Sequence, residues 1–162
     1  MTEYLIERVK SCTGALPSGL RNDLMKAGRE IVESLINQLP SLTSYVLLAD
    51  TLELIGYIGG DSSYNVLIKY LQNRNEDELP QRIISQSCIR GLSYIGNEKS
   101  ISTILNCLSS KDPEIRFTAV ETLGQLALSK PDFKNQIVEA LNITLNSESI
   151  EKPGKKIEEA LS

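Results

Sequence analysis

Apolar residues recur at spacings of three and four along most of the chain, the pattern of helices that bury one stripe and leave the rest in water. One run, T-L-E-L-I-G-Y-I-G, spans Thr51 to Gly59. It returns as C-I-R-G-L-S-Y-I-G from Cys88 to Gly96, and again as A-V-E-T-L-G-Q-L-A from Ala119 to Ala127. The ends of the three copies are offset by 37 and then 31 residues, and each copy is followed by a second apolar-periodic segment. A unit that recurs at this length cannot bury its own apolar face and must stack on its neighbours. No convincing alternation of period two interrupts the pattern, which predicts an all-α chain of helix pairs.

The aligned positions carry a steric logic. Small residues fall in two rows, Thr51, Cys88 and Ala119, then Gly56, Ser93 and Gly124. Large aliphatics fill the rows between them, Ile55, Leu92 and Leu123, then Ile58, Ile95 and Leu126. Such alternation makes a face on which a second helix crosses closely. Gly59 and Gly96 stand where a left-handed residue stops a helix. In the second helices, Tyr64, Leu67, Ile68 and Leu71 correspond to Ile101, Ile104, Leu105 and Leu108, and then to Val138, Leu141, Asn142 and Leu145.

The flanks also read as helical. Ser18 to Leu39 places Leu20, Leu24, Ala27, Ile31, Leu35 and Ile36 on one face, between Pro17 and Pro40. Thr2 to Cys12 is a shorter helix with Tyr4, Leu5, Arg8 and Val9. After Pro153-Gly154 comes K-K-I-E-E-A-L, with Ile157, Ala160 and Leu161 spaced to dock. The expected organisation is one domain over 1–162: capping helices in 1–40, repeats in 43–147 and a capping helix in 153–162.

The third copy begins D-P-E-I-R-F-T-A-V-E-T-L-G-Q-L-A, from Asp112 to Ala127. This resembles the first helix of a HEAT repeat, in particular the short HEAT-like type of phycobilin lyases. The resemblance covers residues 43 to 147 and implies a right-handed α-solenoid of about three HEAT-like helix pairs with terminal caps. It also implies that Asp112 lies in the inter-repeat turn, that Pro113 starts the helix, and that Arg116 pairs with an Asp of a neighbouring turn. Helix-start chemistry agrees for two of these, since Asp is a good N-cap and Pro is favoured just inside it. The second copy has Gln81 and Ser85 where Asp112 and Arg116 stand, and the first has Leu48 at the Arg position.

Composition narrows the chemistry. Hydrophobic residues make up 41% and charged residues 23% of 162, as in a folded domain, and with aromatics at 5% the core must be aliphatic. Lys and Arg number 17 against 21 Asp and Glu. Residues 1–81 hold 7 basic and 11 acidic residues, and residues 82–162 hold 10 of each. Neither half has the basic surplus that phosphate neutralisation demands, which argues against a nucleic-acid partner. No apolar run approaches the roughly 20 residues that cross a bilayer, so no membrane partner is expected. The start M-T-E-Y-L-I-E-R-V-K is not a signal peptide. Three scattered cysteines, Cys12, Cys88 and Cys107, fit a reducing cytoplasm, with the last two as buried thiols.

The chain has no His, which removes the commonest general base and metal ligand, and no two cysteines have zinc-ligand spacing. It has no Gly-rich phosphate loop and no nucleophile elbow. Glu76-Asp77-Glu78 reads as a solvated loop before a helix start. No catalytic residue, metal or cofactor is therefore assigned. In HEAT-like arrays the second helices line the concave side, so the candidate site is a partner-binding surface formed by Asn65, Lys69, Tyr70, Gln72, Ser102 and Asn106, with Cys107 in the row of Tyr70. The expected function is a non-catalytic protein–protein interaction module or adaptor. Two alternatives are a phycobilin lyase-like, tetrapyrrole-handling protein and a HEAT-like DNA glycosylase, the latter disfavoured by the acidic balance and the absence of Trp.

Overall fold

The computed structural model describes residues 1–72 and 78–147. Its helices fall into two compact units, Met1–Ile95 and Gly96–Ser162. The first begins with α1 (Thr2–Lys10), α2 (Ser18–Ala27) and α3 (Val32–Gln38), and continues with α4 (Tyr45–Ile58), α5 (Asp61–Gln72) and α6 (Leu79–Ile95). The second holds α7 (Glu98–Cys107), α8 (Pro113–Ser129) and α9 (Lys134–Asn146). Among the described residues there is no strand, and in chain order α4/α5, α6/α7 and α8/α9 are the three pairs that the spacing predicts. The fold is all-α and of the helix-pair, α-solenoid class.

Local chemistry sets the start of α4, α7 and α8 and the end of α4 and α6. Ser44 caps α4 by accepting a hydrogen bond from the Leu47 amide at 3.2 Å, and Asn97 caps α7 through the Ser100 amide at 2.9 Å. Asp112 accepts from the Glu114 amide at 2.8 Å, with Pro113 at the first helical position of α8. All three satisfy amides that no helical carbonyl can reach. Gly59 and Gly96 adopt φ of 76° and 57°, and so stop α4 and α6 as expected. The third copy differs. Ala127 is buried inside α8, which continues to Ser129 before Lys130-Pro131 ends it.

In the first unit, α4 and α6 cross with their backbones touching. A β-carbon built on Gly56 would lie 2.4 Å from the Gly91 Cα and 2.5 Å from its carbonyl oxygen. One built on Gly91 would instead meet the Leu67 side chain of α5 at 3.0 Å. The sequence alignment paired Gly56 with Ser93, yet the close partner is Gly91, two residues earlier. Around this crossing Leu52, Leu54, Ile55, Leu67, Cys88, Ile89 and Leu92 are buried, and Thr51 turns its hydroxyl back to the Leu47 carbonyl at 2.7 Å. Ser63, fully buried at the start of α5, donates to the Ile55 carbonyl at 3.1 Å and fastens the α4–α5 turn.

The N-terminal segment departs from its expectation. Ser18 to Leu39 is not one helix: α2 stops at Gly28 (φ 66°), a 3-10 turn covers Gly28–Ile31, and α3 resumes. Leu20, Leu24, Ile31, Leu35 and Leu39 nevertheless all reach the core, because the break re-aims the second half of the stripe. Arg8 and Asp23 join α1 to α2 at 2.9 Å, and the Leu16 amide donates to Asp50 of α4 at 2.8 Å. The segment 153–162, expected as a C-terminal cap, lies outside the described residues.

In the second unit, Ile115, Ala119, Val120, Leu123 and Leu126 of α8 are buried with Ile101, Ile104 and Leu108 of α7. Arg116 donates to the carbonyls of Ser110 and Lys111 at 2.8 and 3.0 Å. Among the described residues it therefore clasps two carbonyls of the turn between α7 and α8 rather than an Asp of a neighbouring turn. The α9 stripe is also rotated from its expected position. Ile137, Leu141 and Thr144 face inward, while Asn142 and Leu145 are exposed.

Candidate functional surface

The sequence-chosen surface residues fall on α5 and α7, one helix in each unit. On α5, Asn65, Lys69 and Gln72 recur at i, i+4 and i+7 and are exposed, one stripe of a helix whose opposite side carries the buried Ser63, Val66, Leu67 and Leu71. On α7, Ser102 and Asn106 are likewise exposed, opposite the buried Ser100, Ile101, Ile104 and Cys107. The stripe is longer than the sequence reading had it. Asp61, Asn65, Lys69 and Gln72 correspond at 37 residues to Glu98, Ser102, Asn106 and Ser109, and all eight are exposed. A further 37 residues lead to Asn135, Glu139, Ile143 and Asn146 of α9, again all exposed.

Tyr70 and Cys107 do not share this stripe. Tyr70 is half-buried, with its side chain near Cys88 of α6, and Cys107 is buried. Burial holds the Tyr70 phenol above its ordinary value of 10.0, and the neighbouring Cys88 adds to the shift, since both effects disfavour a phenolate. Tyr70 thus presents one side to water and packs the other on α6.

Two features of the first unit escaped the sequence reading. One is a shallow open cleft of about 280 Å³ at the start of α5, lined by Arg29, Val32, Glu33, Gly60, Asp61 and Ser62. The Ser62 hydroxyl donates to Glu33 across it and so joins α5 to α3. The other is an exposed aromatic pair, Tyr57 of α4 and Tyr94 of α6, with ring centroids 5.2 Å apart and planes at 82°. Its signal was present: the two tyrosines occupy the same position of the first and second copies, 37 residues apart. The third copy carries Gln125 there.

Among the described residues no group of three or more His, Cys, Asp and Glu could hold a metal ion, and no helix is long and apolar enough to cross a membrane. No disulfide joins any of the three cysteines. Glu76 and Asp77 lie outside the described residues, and Glu78 is exposed.

Paired helices repeated in chain order, with an exposed stripe on each second helix, define an α-helical repeat protein. Residues 78–148, from the start of α6 to the end of α9, match the family of HEAT repeats. The match supports a HEAT-like repeat protein over this stretch and does not single out the phycobilin-lyase branch. Comparison with curated proteins and with solved structures gives no match.

Proposed function

We propose that this chain is a non-catalytic protein-interaction module of the cytoplasm that docks a partner protein on the exposed sides of its second helices. The observation that supports this reading is the recurrence of uncharged or singly charged polar residues at matching exposed positions of the second helix in each unit: Asn65, Lys69 and Gln72 on α5, and Ser102, Asn106 and Ser109 on α7. Helix surfaces are pre-ordered, so a partner that meets them loses little freedom on the module's side. Asn and Gln side chains each offer both a donor and an acceptor. Tyr70, beside Lys69, supplies a rigid aromatic anchor of the kind enriched at interface hot spots.

A photo-crosslinking amino acid placed at Lys69, at Asn106 and, as control, at the exposed Glu7 of α1 tests this in the organism's own lysate. Adducts with one protein from positions 69 and 106, and none from position 7, are the expected result. Adducts from position 7 alone, or equally from all three, overturn the docking surface. With the partner in hand, Tyr70→Ala should weaken binding by about 2 kcal/mol or more. Undiminished binding by a folded Tyr70→Ala protein removes Tyr70 from the site.

A further inference from the structure

Glu53, Gly56 and Tyr57 of α4 lie against Arg90, Gly91 and Tyr94 of α6, with the two glycines buried and the other four side chains reaching the surface. The numbers climb together, so the two helices run parallel and finish side by side at Ile58 and Ile95. At that shared end stand the two tyrosines, 53% and 49% exposed. Their near-perpendicular packing sets the edge of one ring against the face of the other and leaves ring face open to water. The core beneath is already closed by the Gly56–Gly91 crossing, so these rings are not needed to fill it.

The electrostatics of this spot have one sign. Aromatic faces carry the negative part of the ring quadrupole. Each helix C-terminus adds a partial charge of roughly −0.5, and here two of them coincide. The cation on the same face, Arg90, lies 3.9 Å from the Glu53 carboxylate one turn back, which offsets its charge. Residues 1–95 as a whole hold 11 acidic and 9 basic residues. An anionic ligand would be repelled, and an apolar one would draw nothing from the helix ends.

We propose that the Tyr57–Tyr94 pair receives an arginine or lysine side chain presented by a partner polypeptide, with the cation seated over an open ring face at the paired helix ends. The site is separate from the stripe of α5 and does not depend on it. A partner that uses both would carry a basic residue outside the segment that meets α5.

The full chain, with its tyrosine rings isotopically labelled, is titrated with the peptide acetyl-Gly-Arg-Gly-Arg-Gly-amide at constant ionic strength. A peptide with citrulline in place of each arginine keeps the shape and removes the charge. Saturable ring shifts at Tyr57 and Tyr94 are expected with the arginine peptide and not with the citrulline peptide. Tyr57→Leu and Tyr94→Leu should each weaken binding about two- to fivefold, the range of an exposed cation–π contact. Tyr57→Phe should bind as the parent does, because the ring face is retained. Equal response to citrulline, no shift at these two rings, or a loss in Tyr57→Phe matching that in Tyr57→Leu would overturn the proposal. Should a leucine variant lose its native circular dichroism, the charge contrast and the phenylalanine variant still decide.

Discussion

Gly56→Ala adds one methyl group at the point where α4 and α6 meet. On an open helix the change would stabilise by up to about 1 kcal/mol, because Ala is the better helix former. Here the new β-carbon falls 2.4, 2.5 and 2.6 Å from three backbone atoms of Gly91. Real β-carbons do not approach so closely, and a backbone cannot step aside by a rotamer change. The helices must separate, and that opens the packing of Leu52, Ile55, Ile89 and Leu92, all fully buried. Overpacking of this kind costs on the order of 1–3 kcal/mol, occasionally more. Because only backbone can yield, the upper end of about 3 kcal/mol applies, and with the propensity gain set against it a net loss of about 2 kcal/mol is expected. At about 2–4 °C per kcal/mol for a chain of this length, the melting midpoint should fall by roughly 4–8 °C. Gly91→Ala should cost less, since its β-carbon meets a movable Leu67 side chain at 3.0 Å. Gly19→Ala, in α2 with nothing within 4 Å, should be neutral or slightly stabilising. Thermal and urea melts of the three variants by circular dichroism give the ranking. A Gly56→Ala protein as stable as the parent would show that α4 and α6 do not cross here.

Ala119→Leu, at a fully buried site in α8, should lower stability by on the order of 1–3 kcal/mol, and an unchanged melt would place that position in solvent. Asp112→Ala removes the cap of α8 and should cost about 0.5–2 kcal/mol, measured by urea denaturation. Tyr70 should titrate above 10.0 in ultraviolet difference spectra of the folded chain, and Tyr70→Phe should remove that step. Because its folded value is raised, the phenol's contribution to stability is complete below the unfolded value of about 10 and is lost as pH rises through the folded one. Stability of the parent should therefore decline more steeply than that of Tyr70→Phe above about pH 10.

Much of the fold was legible because helical periodicity and repeat spacing are properties of neighbouring residues. The caps at Ser44, Asn97 and Asp112 and the glycine stops at 59 and 96 are local in the same sense. What escaped depends on how two helices meet. Nothing about Gly91 taken alone shows that it faces Gly56, and aligning the copies pointed to Ser93 instead. Gly28 reads as one tolerable residue in a helical stripe, yet its backbone turns to φ 66° and splits the segment. The rotated stripe of α9 was hidden because its inward Ile137 and Thr144 stand 37 residues after the buried Ser100 and Cys107, small residues of α7 that an aliphatic pattern does not mark. On the surface, exposure of Asn65, Lys69, Gln72, Ser102 and Asn106 followed from helix phase. The half-burial of Tyr70 did not, because it requires α6 in place. Tyr57 and Tyr94 were visible as a recurring pair, but only their ring contact gives that recurrence a meaning.

The Gly56–Gly91 contact joins positions 35 residues apart without engaging a side-chain rotamer. Two disordered segments offer nothing of the sort to one another, since the contact exists only between surfaces that are already coiled. It should therefore mature after α4 and α6 have formed, late on the folding route rather than in its nucleus. Kinetically, Gly56→Ala should act chiefly by hastening unfolding and leave the refolding rate nearly unchanged, a φ-value well below 1. Stopped-flow refolding and unfolding arms would read this directly. A crossing made of bare backbone then governs how long the folded state lasts more than how fast it is reached.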